Sequence, residues 1–342
     1  MPLLLAELQD RFRAAFLGFA VGDALGFPYR GLPPASAARG LSLADDFAAR
    51  PRGRFAKGQF SDDTQVMLAV AESIAKSRRI DGRSAAQHLS WLWQEGVILL
   101  PPPSTTNAAE ALLRGTPWMS AGAELGVRDA SCLSRGVVLG LWSEVSPVKL
   151  AHDASVMTVM THKDQVCAAA ACAVARAVQL GLAGEQLEPS VFCEEVAKAA
   201  SGCDADLADE LFYLPRVLSW DADRALQALR RIAMPQAQLD AEPGIPSHVT
   251  PVLLCALYAA LKVPHDMRAA LNLLLRCGGE VDVAAGVCGA VLGATLGSQA
   301  IPARLKKNLL YADDVADAAD RLFDARLARE PVRLPVLASS KR

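Results

Sequence analysis

Ser61-Asp62-Asp63-Thr64-Gln65-Val66-Met67-Leu68-Ala69-Val70 sets two adjacent carboxylates at the head of a strongly apolar run. Ser61 reads as an N-cap, because a short hydroxyl side chain ahead of the first turn accepts a backbone N–H that has no helical partner. The run predicts a helix from Asp63 to about Lys76. Far along the chain, Glu280-Val281-Asp282 presents two more carboxylates on alternate residues. Hard divalent cations take oxygen ligands, so two short acidic clusters in distant segments are what a fold needs to assemble a metal site. A helix N-terminus also attracts carboxylates through its dipole, so plain capping accounts for Asp62 and Asp63 as well. Asp45-Asp46 and Asp313-Asp314 are paired too, but their polar, alanine-rich surroundings read as solvated helix ends or loops.

Working outward, the composition supports helices. Of the 342 residues 52% are hydrophobic and only 6% aromatic, with alanine and leucine dominant, which disfavours a β-sandwich of alternating β-branched and aromatic residues. No Ser-Gly linker, charge block or low-complexity tract divides the chain, so one large all-α domain is expected. The formal net charge is -2 with scattered Lys and Arg, so nothing points to a nucleic-acid or anionic-membrane surface, and small molecules and proteins are the expected partners. No run reaches the roughly 18 apolar residues of a membrane span. The eight cysteines lie in apolar stretches without metal-finger spacing and read as small core hydrophobes of a reducing cytoplasm.

Helical periodicity runs from Leu4 to Val21 and on to Gly26, with Gly18, Gly22 and Gly26 spaced to admit a neighbouring backbone. Pro28 and Gly31-Leu32-Pro33-Pro34 then break the helix. Residues 31 to 60 read as loop. Further helices are expected near 84–95, 108–113, 146–160, 164–181, 189–201, 204–212, 221–233, 247–262, 265–276 and 283–296. Gly115 to Leu141 is glycine-rich and poorly periodic, and reads as a binding loop or a connection. The sum is a multi-helix bundle.

Five segments then fall in one order: Gly22-Asp23-Ala24-Leu25-Gly26-Phe27-Pro28, Ser61-Asp62-Asp63-Thr64, Thr161-His162-Lys163-Asp164, Gly278-Gly279-Glu280-Val281-Asp282-Val283-Ala284-Ala285 and Gly289-Ala290-Val291-Leu292-Gly293-Ala294. The set resembles the ADP-ribosylglycohydrolase family, all-helical enzymes that remove ADP-ribose from arginine or serine side chains or cleave related conjugates. The resemblance covers about residues 11–325 and leaves 326–342 as a polar C-terminal tail. It implies a helical bundle around an acidic metal cleft with one or two Mg²⁺ ions. Ser61, Asp62, Asp63, Glu280 and Asp282 are the implied metal ligands, with Asp62 and Asp63 at the catalytic centre. His162 matches a family histidine near the bound nucleotide, although a lone histidine at a helix start also serves structure alone. Arg135-Gly136 stands where many members carry a glycine-rich diphosphate loop, so a Gly136 N–H nest and the Arg135 side chain are implied substrate contacts, with simple packing as the other reading.

The departures from the family pattern bear on activity. Arg30 stands where the family has a glutamate of the catalytic centre, and a guanidinium repels Mg²⁺ and cannot serve as a base. Glu280 is one methylene longer than the family aspartate, and Val283 lacks the hydroxyl of the family threonine. Mg²⁺ needs near-octahedral geometry at about 2.0 to 2.1 Å, so a longer arm and a missing oxygen weaken the second metal position. Two functions follow from the resemblance: a Mg²⁺-dependent hydrolase of ADP-ribosyl glycosidic bonds, or a relative that binds ADP-ribose or an ADP-ribosylated protein without turnover. Valine at position 66 argues against an Asp-Asp-x-x-Asp prenyl-diphosphate site. The companions that His152-Asp153 would need in a phosphohydrolase are missing.

Overall fold

Gly18, Gly22 and Gly26 lie on one face of the first helix, α1 (Leu5–Gly26), and that face meets the backbone of the helix at Val281–Leu296. A Cβ on Gly22 would stand 2.1 Å from the Ala285 carbonyl oxygen, and one on Gly18 would stand 2.2 Å from that of Gly289. Gly293 completes the contact from the other side, with the Ala14 carbonyl 2.1 Å from its notional Cβ. Main chain touches main chain along this crossing, which only residues without a side chain permit. The crossing also brings Gly26 against Asp282, and so joins the end of α1 to the second acidic cluster.

The computed structural model describes residues 4–34, 43–49, 55–184 and 188–329. Among them the chain forms helices and no β-strand, only isolated bridges. After α1 come α2 (Asp62–Ser77), α3 (Gly82–Gln94), α4 (Pro103–Leu113), α5 (Trp118–Ala121), α6 (Leu133–Trp142), α7 (Pro147–Thr158) and α8 (Gln165–Leu182). They are followed by α9 (Pro189–Ala200), α10 (Ala205–Tyr213), α11 (Ala222–Leu229), α12 (Gln236–Ala241), α13 (Val249–Lys262), α14 (Met267–Leu275), α15 (Val281–Leu296), α16 (Ala303–Asn308) and α17 (Ala312–Leu327). The all-α expectation therefore holds.

α1, α6, α8, α13 and α15 make the centre and are buried along most of their length, as helices that are apolar all round must be. α8 is long and apolar enough to span a membrane, with mean hydropathy 1.4, contrary to the expectation that no run is. It is 89% buried within the protein, which is how a central core helix reads. The eight cysteines are free thiols; six are buried, as expected of core residues, and Cys203 and Cys277 are partly exposed.

Two sequence expectations need correction. The stretch from Gly115 to Leu141 is not one irregular loop: its last third is α6, wholly buried. Its weak amphipathic signal has a physical cause, since a helix covered on all sides has no polar face to set a period. The first turn of α17 holds Asp313 and Asp314, and the helix continues through Arg326 and Leu327, two residues into the stretch expected to be tail. Residues 330–342 of that tail, and 35–42 and 50–54 of the expected loop, lie outside the described residues.

Candidate functional site

The head of α2 is built as the sequence predicts. Ser61 is its N-cap, accepting from the Asp63 N–H at 3.2 Å, and the Ser61 hydroxyl donates to Asp63 Oδ2 at 3.3 Å. Asp23 of α1 secures this turn from outside: its carboxylate accepts the Ser61 N–H at 3.0 Å, the Thr64 N–H at 3.2 Å and the Thr64 hydroxyl at 2.5 Å. A buried carboxylate at a helix N-terminus satisfies donors that the helix leaves unpaired. Burial, joined by the charge of Asp282, pushes Asp23 up to about 7 against these hydrogen bonds.

Glu280 and Asp282 arrive by a different route. Gly278 and Gly279 have φ of +67° and +78°, and a Cβ on Gly279 would stand 2.1 Å from the Ile245 carbonyl oxygen. Freed of side chains, this segment threads between two others. Gly31 N–H donates to Gly279 O at 3.1 Å, Gly279 N–H to Leu32 O at 2.9 Å, and Glu280 N–H to Ile245 O at 2.9 Å. The bridges of Gly279 to Arg30 and to Ile245 therefore set Arg30 beside Glu280.

The guanidinium of Arg30 stands among the carboxylates of both clusters. Nη1 donates to Asp62 Oδ1 at 2.9 Å, and Nε lies 3.5 Å from Glu280 Oε2 and 3.5 Å from Asp282 Oδ2. Asp62, Asp63 and Asp282 are at most 1% exposed, whereas the Arg30 and Glu280 side chains keep 15% and 20%, so these two form the outer face of the cluster. Burial pushes Asp62 up to about 6 although Arg30 opposes it. Burial likewise raises Glu280 to about 8 despite Arg30, with Asp282 and Asp62 adding to the rise. Asp63 is raised well above the ordinary carboxylate range by burial and by Asp62. Burial works against the charge on Arg30, but Asp282, Glu280, Asp62 and Asp63 outweigh it and hold the guanidinium ionised.

Magnesium, implied by the resemblance, can be tested against this geometry. Two buried oxygens, Asp63 Oδ1 and Asp282 Oδ2, have no hydrogen-bond partner, which is how a ligand atom awaiting a cation looks. Against that, no three His, Cys, Asp or Glu side chains among the described residues converge as a metal-holding group. Arg30 sits between the oxygens that would have to close on an ion, so the arrangement does not fit a two-magnesium centre. The cluster unites Ser61, Asp62, Asp63, Glu280 and Asp282 in one place nonetheless.

The remaining predicted residues lie apart from this contact. His162 is 1% exposed, with Nδ1 2.9 Å from Thr161 Oγ1 and Nε2 3.0 Å from Asp129 Oδ2, close as an ion pair but out of line for a hydrogen bond. Arg135 is fully buried and donates through Nη1 to Thr161 Oγ1 at 2.6 Å and to Met157 O at 3.2 Å. Gly136 faces α8, where a Cβ would meet Val174 at 2.6 Å. Neither forms part of an open loop: on α6 Gly136 is a packing residue, and Arg135 ties α6 to the end of α7.

Asp23, Asp129 and Thr161 escaped the sequence-level choice of site residues. Asp23 carried a signal, since it sits in the quoted Gly22 to Pro28 segment. Asp129 carried none, because an aspartate two residues before a serine is a common cap. Burial raises the Asp129 pKa, but the contacts with His162, Ser104 and Ser131 outweigh it and hold it well below the usual carboxylate range. Its charge also adds to the rise of the Glu280 pKa. A groove of about 710 Å³ between α2, α3 and α17 flanks the head of α2, yet none of the clustered carboxylates lines it.

Comparison with known proteins agrees with this architecture. The chain is 28% identical over 320 residues to an uncharacterized protein of Archaeoglobus fulgidus, covering 94% of this chain and 98% of that one. It is 24% identical over 328 residues to the uncharacterized protein YegU of Escherichia coli, covering 88% and 92%. A solved structure, an ADP-ribosylglycohydrolase-related protein complex, superposes with a TM-score of 0.72 at 23% identity over 94% of this chain and 99% of its own, a likeness of fold. The model of the ADP-ribosylglycohydrolase family matches residues 4–331, and the chain belongs to that family.

Proposed function

We propose that this protein recognises an ADP-ribosyl group, free or on a protein, at the acidic cluster, and that it does so without the metal-dependent turnover expected of its family. Membership of the family supports a glycohydrolase-like site. The observation that carries the reading is the Arg30–Asp62 hydrogen bond at 2.9 Å, with Glu280 and Asp282 at 3.5 Å from the same guanidinium. Cleaving the ribose C1 bond needs a carboxylate free to orient or deprotonate water and a stabiliser for an oxocarbenium-like sugar. Asp62 spends Oδ1 on Arg30, and a cation beside the reacting carbon opposes the charge that develops there. Binding asks less: Arg30 and Glu280, the partly exposed members, can donate to and accept from ribose hydroxyls.

Two titrations test this. ADP-ribose added to the purified protein in a calorimeter should bind saturably, and peptides ADP-ribosylated on arginine or serine should release no ADP-ribose with or without Mg²⁺. Multiple turnover in the presence of Mg²⁺, abolished by Asp62→Asn, would instead establish the hydrolase.

A further inference from the structure

We propose that the guanidinium of Arg30 is a built-in cation that stands in for a divalent metal ion: the native chain binds no Mg²⁺ or Mn²⁺ at the cluster, and a neutral side chain at position 30 opens a site for one. The inference deepens the reading above and rests on the same cluster.

Three observations carry it. First, Arg30 reaches both halves of the cluster at once, Asp62 from α2 and Glu280 and Asp282 from the start of α15. Its nitrogens stand 2.9 and 3.5 Å from those oxygens, so the positive charge that a divalent ion would bring to the carboxylates is already in place. Second, Asp63 Oδ1 is buried without a hydrogen-bond partner, and Asp282 Oδ2 meets the guanidinium only as an ion pair at 3.5 Å with no hydrogen bond, so acceptor capacity remains that Arg30 does not fill. A smaller, doubly charged ion could gather it once the arginine is gone. Third, the backbone at Arg30 is fixed by the Gly31 and Gly279 hydrogen bonds at 3.1 and 2.9 Å, so the arginine is a resident of the cluster, fed into it from its own bridge. A metal ion would have to displace this side chain from three carboxylates before meeting its first ligand.

Mn²⁺ added to metal-stripped protein, followed by electron paramagnetic resonance and by melting temperature, tests the proposal with Arg30→Met and Arg30→Lys beside the native chain. The native protein and Arg30→Lys should leave the signal of free Mn²⁺ unchanged at one equivalent. Arg30→Met should bind one equivalent at least tenfold more tightly and melt higher as Mn²⁺ is added. Stoichiometric Mn²⁺ binding by the native protein would overturn the proposal even if Arg30→Met fails to fold, and a folded Arg30→Met that binds no more Mn²⁺ than the native chain would overturn it too. ADP-ribose is absent throughout, so a failure of ADP-ribose recognition and a failure of the metal substitution are read in separate experiments.

Discussion

At Ser61 to Thr64 the carboxylates hang from the rigid start of a sixteen-residue helix, whose free N–H groups are satisfied by Ser61 and by Asp23 from α1. At Glu280 to Asp282 they sit at a seam of three segments, joined by pairs of backbone bonds and made possible by two glycines with positive φ. The first end is held by hydrogen bonds among its own residues and by Asp23, the Leu99 carbonyl and Arg30. The second depends on close backbone approach, and Arg30, carried on the adjoining segment, answers the charge of both ends. Carboxylates of one kind thus have two different supports, and perturbing each support separately reveals how far the cluster depends on it.

The seam should be the more fragile. Gly279→Ala adds a Cβ 2.1 Å from the Ile245 carbonyl at a backbone angle that alanine resists, and should cost about 3 kcal/mol or more in urea unfolding. A loss under about 1 kcal/mol would mean that the seam adapts and that the position of Arg30 is not fixed by it. The α2 end is expected to lose less: Asp23→Ala leaves the Ser61 and Thr64 donors buried and unmet, for about 2 kcal/mol. Equal losses at the two ends would erase the distinction between them.

Helix positions and the grouping of the two clusters were legible because each rests on local signals: a cap before an apolar run, glycines at four-residue spacing, carboxylates at a helix start. The same signals could not say what balances the charge. Arg30 reads in sequence as a residue hostile to a metal, and only the bridge of its backbone to Gly279 reveals it as the partner of Asp62. For Arg135 and Gly136 the sequence left two readings, a phosphate nest and packing, for the opposite reason. A glycine among small and aliphatic residues looks alike in a phosphate loop and in a helix pressed against another, and the choice is made by α8, more than two dozen residues further on.

Smaller effects are expected outside the cluster. Because its contacts with His162 and two serines hold Asp129 below its unfolded value, it contributes stability above the unfolded carboxylate pKa of about 4, which is lost as the pH falls below that value. Asp129→Asn should therefore be destabilising by about 1 to 2 kcal/mol near pH 7 and should flatten the acid limb of a stability-against-pH curve. An unchanged acid limb would exclude the pairing with His162 as a source of stability. Smallest of all, Arg321→Ala removes a half-exposed pair with Glu72 at 2.9 Å on the outer side of α2, and should change stability by less than about 1 kcal/mol with no effect on ligand binding.

The most direct test of a cluster that works with an arginine in place of a metal is calorimetry of ADP-ribose binding to protein stripped with a chelator, repeated in Mg²⁺. The account predicts one-to-one binding of the same affinity in both conditions; binding that appears only when Mg²⁺ is restored would contradict it.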